Sequence, residues 1–292
     1  MMDKVFGVLL NLWSDICDQS PFFQSLYFLM LRFVTVVQAR MSSTRLPGKV
    51  MLQLGKLPLL LTMVKRLQRS KLAGTIVVAT TIEEADNPIA ELCTKSNVQV
   101  YRGHSTDLLD RHYQCARAYG ADVVLKIPSD CPLIDSTVVD RVVAVFKMGN
   151  FDYVSNLHPP TYPDGQDVEV ISMDALYQAW SGAKLDFERE HTTPFIWERP
   201  EKFRIGNVIW DTGMDYSNTH RITIDYPEDY LAIKAIYDHL ILHKPEFGIN
   251  DIAALIDARP DIKTLNNQHL GVNWYRHHLS ELKTINPNQS RG

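Results

Sequence analysis

The sequence predicts an α/β fold with a mostly parallel sheet and helices on both of its faces. Short apolar segments, such as Phe33–Val37 and Thr75–Thr80 (TIVVAT), alternate along the chain with segments of helical periodicity. Strands that are apolar on both sides are typical of parallel sheets, because helices cover both faces of such a sheet.

The first half of the chain supplies four strand–helix pairs. After the strand at Phe33–Val37, Pro58 suits the first turn of a helix whose apolar residues recur at helical spacing through Leu67. The predicted elements after the strand at Thr75–Thr80 are, in order, a helix over Asn87–Ser96, a strand over Val98–Tyr101, a helix from Thr106 through Tyr119, a strand over Val123–Ile127 and a helix over Asp135–Phe146.

After Asn150 the pattern changes to more exposed strands with helices between them. We expect this half to complete the sheet and to add a β-rich region for the substrate or for a dimer contact. The predicted elements are strands over Asp152–Asn156, Asp167–Ser172, Arg204–Trp210 and the short Thr223–Asp225, then helices over Pro227–Leu242 and Asn250–Ala258, then a polar tail.

Composition narrows the class of protein. The 292 residues are 45% apolar and 22% charged, an ordinary globular balance that excludes a mainly disordered chain. The net charge of −4 provides no overall basic field for nucleic acid. The four cysteines are scattered, with neither a metal-binding spacing nor a disulfide framework, so we expect reduced thiols in the cytoplasm.

The pattern divides the chain into an N-terminal extension (1–31), a catalytic domain (32–245) and a C-terminal helical tail (246–292). Val5–Trp13 is apolar but too short to span a membrane, so we expect no integral membrane segment. The extension is an amphipathic segment, a packing arm, or sequence translated upstream of a true start at Met30. We favour the last interpretation and expect residues 1–30 to be dispensable.

The segment directly after the first strand, ARMSSTRLPGK at residues 39–49, combines cations, hydroxyls and a glycine. Ligands of open α/β sheets bind beyond the carboxyl ends of the strands, where this segment lies. Arg45 can fork across two phosphate oxygens, Lys49 supplies a point charge, and Gly48 allows a tight turn. The segment therefore suits phosphate, although it is not a Walker sequence; a solvated basic loop is the alternative.

Two carboxylates follow strands at corresponding places. Asp130 lies in KIPSDCPLID after the strand Val123–Ile127, and Asp225 ends the apolar run in RITIDYPEDY. Magnesium is usually held by one or two carboxylates together with substrate phosphates. The two aspartates predict a magnesium site facing the phosphate loop; the alternative is that each caps only the turn that follows it.

Seven segments carry a resemblance to a known family: QARMSSTRLPGK, IVVATT, GHSTDLLDRHYQCA, DCPLID, YPDGQDVEV, EREHTTPFI and TIDYPEDY. In this order they resemble the spore-coat polysaccharide biosynthesis protein F family, which is related to 3-deoxy-manno-octulosonate and acylneuraminate cytidylyltransferases. The resemblance implies the Rossmann-like nucleotide-diphospho-sugar transferase fold. It also implies a magnesium-dependent reaction of CTP with a small acidic acceptor, release of pyrophosphate, and a homodimer.

The same resemblance assigns roles to individual residues. It places Arg40, Ser42, Ser43, Arg45 and Lys49 at the CTP phosphates, with Arg45 and Lys49 as the catalytic cations. It places Thr80 and Thr81 at the base, Asp107, Asp110 and Arg111 near the nucleotide or ribose, and the metal at Asp130 and Asp225. A helix cap explains Asp107 equally well.

YPDGQDVEV and EREHTTPF provide the candidates for binding the acceptor. These are Tyr162, Asp164, Asp167, Glu169, Arg189 and His191, with turn, strand-face or surface roles as the alternatives. The chain departs from its relatives at Ser129, where many have glycine, and at Cys131, where the octulosonate enzymes have glutamate; Cys131 is expected to be a small buried residue. Residues 275–278 (YRHH) are expected to form a solvated amphipathic helix.

Two other function classes stay open. A glycosyltransferase that uses a nucleotide-sugar donor would share the fold, but it usually carries an Asp-x-Asp metal motif, which is missing from the expected places in this sequence. A non-catalytic nucleotide-binding subunit is the second alternative. Retention of Arg45, Lys49, Asp130 and Asp225 together argues against it.

Overall fold

A seven-stranded sheet lies at the centre of the computed structural model, which describes residues 30–285. The strands are β1 (Phe33–Gln38), β2 (Gln53–Leu54), β3 (Leu57–Pro58), β4 (Thr75–Thr81), β5 (Gln99–Gly103), β6 (Val123–Pro128), β7 (Tyr153–Ser155), β8 (Glu169–Ser172) and β9 (Ile205–Asn207). β2 and β3 form a separate antiparallel pair, and the others form the sheet in the order β5-β4-β1-β6-β8-β7-β9.

The four strands of the first half run parallel, which confirms the predicted fold class. β1 pairs with both β4 and β6, and β4 pairs with β5. β8 runs antiparallel to β6 and to β7, while β9 runs parallel to β7 at the edge. The second half therefore completes the sheet, as the sequence predicted.

The helices follow the predicted order with small differences at their ends. They are α1 (Leu59–Leu67), α2 (Asn87–Lys95), α3 (Leu108–Ala118), α4 (Ser136–Met148), α5 (Met173–Gly182), α6 (Asp186–His191), α7 (Pro194–Trp197), α8 (Pro227–His243), α9 (Ile249–Ala258) and α10 (Pro260–Lys263). None of the helices in this part of the chain is long and apolar enough to cross a membrane. The expectations for residues 1–29 lie outside the described residues.

Two sequence-based expectations about the second half are wrong. The strands were expected to be more exposed, but β7 is buried along its whole length and β8 along most of it. Both lie inside the sheet, and of the strands in this half only β9 is at an edge. Thr223–Asp225 forms no strand. Instead, the backbone N–H of Ile224 donates to the carbonyl of Asp130 at 2.8 Å, which fixes this segment beside the turn after β6.

That contact explains how the sequence brings distant carboxylates together. β1 and β6 are parallel neighbours, so the loop after β1 and the turn after β6 lie at the same edge of the sheet. The segment leading to Asp225 then runs along the turn at Asp130. Three segments far apart in sequence thus meet at the carboxyl edge of the sheet.

The carboxylate of Asp135 accepts hydrogen bonds from the first turns of two helices. One of its carboxylate oxygens accepts from the N–H of Thr137 at 2.8 Å and caps α4. The other accepts from the buried N–H of Ile249 at 2.6 Å and holds the start of α9. The sequence therefore uses one buried carboxylate to satisfy the first turns of both helices.

We expect Asp135→Ala to lower the free energy of unfolding by about 2 kcal/mol, because it removes a helix cap and leaves a buried N–H unpaired. Chemical denaturation measures the change. The matched control is Asp238→Ala, which removes only an exposed ion pair with Lys234; it should change the stability by less than about 0.5 kcal/mol. Equal losses in both variants would contradict the role of Asp135.

Candidate active site

A cavity of about 600 Å³ opens at the carboxyl edge of the sheet. Its volume is within the usual range for sites that bind small molecules. Twelve residues that the sequence singled out line it: Arg40, Ser43, Arg45, Lys49, Arg111, Asp130, Tyr162, Asp164, Asp167, Glu169, His191 and Asp225. The parallel pairing of β1 with β6 brings the first of these residues together, and antiparallel β8 and the segment held at Asp130 add others.

The loop after β1 has a defined shape at the mouth of this cavity. The carbonyl of Met41 accepts from the N–H groups of Ser43 and Gly48, at 3.0 and 2.9 Å. Gly48 has a φ of 69°, a left-handed conformation that glycine adopts without steric cost. The N–H of Met41 donates to the buried carboxylate of Asp86 at 2.6 Å. The backbone that carries the cations of the loop is therefore held in place by the hydrogen bonds of Met41.

Lys49 lies between the two predicted metal carboxylates. Its Nζ is 3.4 Å from Asp130 Oδ2, 3.1 Å from Asp225 Oδ1 and 2.5 Å from the carbonyl of Ile224. Arg45 also contacts Asp225 Oδ1, at 2.6 Å. Burial disfavours charge on Lys49, but the two carboxylates outweigh that effect and raise its pKa. Burial likewise opposes charge on Asp225, but Lys49, Arg45 and Arg221 lower its pKa to about 2.

Arg221, a residue that the sequence analysis did not select, lies behind these groups and is almost fully buried. It forms a fork with Asp229, at 2.8 Å from Nε and 3.0 Å from Nη2. It also contacts Asp164 at 2.7 Å and Asp225 at 3.4 Å. Asp229 accepts in addition from the backbone N–H of Asp225, at 2.9 Å. Arg221 and Asp229 therefore fix the position of Asp225.

The acceptor candidates on β8 and in the turn before it adjoin this group, since Asp164 contacts Arg221 directly. Glu169 is buried, pairs with Lys126 of β6 and accepts from the hydroxyl of Tyr153 at 2.7 Å. Asp167 accepts from the N–H of Gly165 at 3.3 Å. Burial and the neighbouring charge of Asp130 raise the pKa of Asp167 to about 7. Burial also raises the pKa of Asp164, against the opposing effect of Arg221.

The C-terminal segment closes this end of the cavity, so the expectation of a solvated helix at residues 275–278 is wrong. Trp274–His277 is a short 3-10 helix. The ring of Trp274 stacks on His191 with centroids 3.8 Å apart, and Tyr275 packs against Trp274 and Trp197. Burial lowers the pKa of His191 to about 3, so its ring is neutral. Aromatic packing against α6 and α7 holds the segment in place, which periodicity could not reveal.

Six predicted site residues lie outside the cavity lining, and five of them have evident structural positions. Thr80 is buried in β4, and Thr81 donates to Asp86, the carboxylate that holds the phosphate loop. Asp107 caps α3 and pairs with Arg189 at 2.6 Å. Asp110 accepts from the indole N–H of Trp180 at 2.8 Å. The sixth, Ser42, is exposed. The ligand contacts that the resemblance implied for these six residues stay predictions; the buried hydroxyl of Thr80 has no hydrogen-bond partner among residues 30–285.

A family model described as cytidylyltransferase matches residues 34–250 of this chain. The chain belongs to the cytidylyltransferase family. This confirms the family that the sequence motifs indicated, and the protein is a CTP-dependent nucleotidyltransferase.

Similar proteins cover most of this cytidylyltransferase. An uncharacterized protein of Methanocaldococcus jannaschii is 36% identical over 239 residues, which are 81% of this chain and 95% of that protein. The spore coat polysaccharide biosynthesis protein SpsF of Bacillus subtilis is 31% identical over 235 residues, which are 78% and 95% of the two chains. The structure of a cytidylyltransferase from Leptospira borgpetersenii is 35% identical, with a TM-score of 0.74 over 79% of this chain and 96% of its own.

The donor set of this cytidylyltransferase fits a hard divalent cation. Among residues 30–285, no cluster of three or more His, Cys, Asp or Glu side chains could hold a metal on its own. Asp130 and Asp225 nevertheless accommodate one positive group between them, the ammonium of Lys49. Two carboxylates suffice for magnesium when substrate phosphates and water supply the remaining ligands.

Cys131 of the cytidylyltransferase lies beside this donor set but does not suit a nucleophile. It is fully buried, as the sequence predicted. Burial and the neighbouring Asp167 and Asp130 raise the pKa of its thiol far above the ordinary value, so the thiolate is not available at neutral pH.

We expect the stability of the protein without ligands to fall between pH 4 and pH 7, in part because of Asp167. The ordinary pKa of an aspartate is about 3.9, and in the folded protein that of Asp167 is raised to about 7. The folded state then binds more protons than the unfolded state in this window, so a rising pH favours unfolding. Asp167→Asn should remove this loss and gain about 1 kcal/mol relative to the parent at pH 8, after allowance for exposure to the cavity.

Thermal unfolding at pH 5 and pH 8 in the presence of a chelator measures the effect of Asp167→Asn. The control is Asp122→Asn, which lies outside the cavity lining. If Asp167→Asn shows the same pH dependence as the parent, the assigned pKa of Asp167 is wrong.

Proposed function

We propose that this cytidylyltransferase couples CTP to an acidic sugar, or to a related phosphate or phosphonate acceptor, and releases pyrophosphate. An acceptor oxygen attacks the α-phosphorus, a new O–P bond forms, and the bond from the α-phosphorus to the bridging oxygen of pyrophosphate breaks. The acceptor proton leaves to solvent or to a cavity carboxylate. The observation that carries the proposal is the contact of Lys49 and Arg45 with Asp225 beside Asp130.

The loop after β1 is the proposed binding site for the triphosphate. Arg40, Ser43, Arg45 and Lys49 line the cavity at this point. The charges of Arg45 and Lys49 stabilise the negative charge that develops on the departing pyrophosphate. Such preorganised electrostatic contacts provide most of the rate enhancement in phosphoryl-type transfers.

Magnesium is the proposed cofactor, and Asp130 and Asp225 would hold it. When bound, it would withdraw charge from the phosphate oxygens. Arg221 and Asp229 keep the Asp225 carboxylate directed toward the cavity. The fixed position of Asp225 spares the site a reorganisation when ligands bind.

The other end of the cavity is the proposed acceptor site. Asp164, Asp167, Glu169 and His191 line it, with Tyr162 beside them. A role in surface polysaccharide or glycoconjugate biosynthesis is proposed from the similarity to the spore coat polysaccharide protein. A homodimer in the cytoplasm remains a prediction from the family resemblance.

Pyrophosphate release with each of the four NTPs and a panel of acid sugars, sugar phosphates and phosphonates tests the proposal. We expect release with CTP, magnesium and one class of acceptor. CTP with magnesium should also stabilise the protein by about 2.7 kcal/mol when it is roughly a hundredfold above its dissociation constant. Equal thermal shifts with all four NTPs would rule out selectivity for the base. Transfer from a nucleotide sugar without pyrophosphate release would favour a glycosyltransferase.

We expect Arg45→Ala and Lys49→Ala each to lower kcat/KM for CTP by about a hundredfold or more, because each removes a charge aimed at the leaving group. Asp225→Asn should lower activity at fixed magnesium, and more magnesium or manganese should restore part of it. Initial rates of pyrophosphate release against magnesium concentration measure both effects.

The matched control for Lys49→Ala is Lys56→Ala, which changes an exposed lysine of the β2–β3 turn. Ser42→Ala is a second control in the loop itself, and it should cost less than either cation. Near-normal rates for both Arg45→Ala and Asp225→Asn would contradict the proposal. The loop would then be only a solvated basic turn, and Asp130 and Asp225 would each only cap the turn that follows it.

A further inference from the structure

We infer that the C-terminal segment at residues 271–278 forms an acceptor subsite that binds the ring of an acid sugar through Trp274 and Tyr275. The inference rests on the proposed function and names the part of the chain that selects the acceptor. It assigns a binding role to residues that lie outside the matched cytidylyltransferase region, which ends at residue 250.

The segment is part of the cavity wall. Gly271, Val272, Trp274 and Tyr275 line the cavity together with residues of the central fold. Trp274 contacts His191 and Tyr275 contacts Trp197, so these two rings belong to the end of the cavity that holds the acceptor candidate His191. A relative with a different segment after residue 250 would keep the nucleotide site and have a different acceptor site.

Aromatic rings form one side of this subsite and polar groups the other. Trp274 stacks on His191, and Trp197 and Tyr275 pack at its side with centroids 6.3 and 4.6 Å from Trp274. Glu169 and Lys126, which form an ion pair with each other, also line the cavity. A sugar ring carries C–H groups on its faces and hydroxyls at its rim, which matches a wall with an aromatic face and a polar edge.

An unpaired polar atom in the wall also points to a ligand. His158 lines the cavity between Trp197 and Tyr275, with ring centroids 4.6 and 6.1 Å away. Its Nδ1 is buried and has no hydrogen-bond partner among residues 30–285. Buried polar atoms in folded proteins are almost always paired, so this nitrogen calls for a hydrogen-bonding group from a ligand or from water. A sugar hydroxyl can provide it.

The segment is fixed to the catalytic groups and to α7. Arg221, which contacts Asp225, also donates to the carbonyl of Val272 at 3.5 Å. Five residues beyond the segment, Glu198, which directly follows α7, accepts from the N–H groups of Lys283 and Thr284, at 2.6 and 2.9 Å. The wall is therefore held in one position relative to Asp225, as a subsite that orients an acceptor requires.

Saturation-transfer NMR on the full chain tests the subsite, with millimolar 3-deoxy-manno-octulosonate or N-acetylneuraminate, magnesium, and CTP whose α,β-bridging oxygen is replaced by CH2 so that no turnover occurs. Trp274→Leu keeps much of the apolar volume but removes the flat ring, and Trp274→Phe keeps a ring. We expect the leucine variant to bind at least one of the sugars about tenfold more weakly, and the phenylalanine variant to bind within about threefold of the parent. The saturation transferred from the protein to CTP, which reports nucleotide binding, should be unchanged in both variants.

The matched control is Trp180→Leu, because Trp180 stacks on Tyr113 at 4.5 Å and lies outside the cavity lining. It should bind the sugars as the parent does. Parent-like sugar binding by the Trp274→Leu variant, or absence of sugar contact in the parent when CTP is bound, would overturn the subsite. Absence of CTP contact in the parent would instead overturn the proposed function, so the two failures are distinguishable.

Discussion

Repulsion among neighbouring carboxylates in and behind the wall of the cavity is the constraint that the rest of the site must satisfy. The aspartates gathered there are Asp130, Asp164, Asp167, Asp225 and Asp229. Two like charges about 4 Å apart repel by roughly 4 kcal/mol at an effective dielectric constant near 20. Arg221 offsets much of this repulsion, because one guanidinium contacts three of these carboxylates. Lys49 and Arg45 offset more of it through their contacts with Asp225. A site that holds this much negative charge favours cations, and the cationic side chains of the loop after β1, Arg45 and Lys49, contact Asp225.

The same ion pairs connect parts of the chain that perform different tasks. Asp225 belongs to the proposed nucleotide end, Asp164 to the proposed acceptor end, and Val272 to the C-terminal segment; Arg221 contacts all three. Loss of one member of a buried ion pair usually costs about 3–5 kcal/mol, because the remaining charges stay buried without compensation. The geometry of both ends of the cavity therefore depends on a residue that occupies the wall between them. Asp86 has a comparable place under the phosphate loop, where it accepts from Met41 and from Thr81.

The sheet, and the meeting of the loop after β1 with Asp130, could be predicted from the sequence because the signals for them are local. The loop at residues 39–49 follows directly on β1, and Asp130 follows closely on β6, so the parallel topology alone brings them to one edge. Lys126 was missed although it carried a signal, since a lysine within an apolar strand needs a buried partner, here Glu169. Trp274 and Tyr275 gave no such signal. Their position depends on aromatic contacts with α6 and α7, about 80 residues away in the sequence, and no local pattern encodes contacts of that kind.

Arg189 and His191 show where a simple geometric argument could have improved the prediction. Both lie on α6, and the sequence analysis assigned both to the acceptor. Residues two positions apart on an α-helix point about 200° away from each other, so they do not face the same ligand. The structure follows this rule: Arg189 pairs with Asp107 beside α3, whereas His191 lines the cavity and stacks on Trp274. Asp167 and Glu169 obey the corresponding rule for extended chain, in which alternate residues share a face, and both line the cavity. The residues of one motif therefore do not all face the same ligand. Their spacing, together with the type of element that carries them, determines which of them can act together.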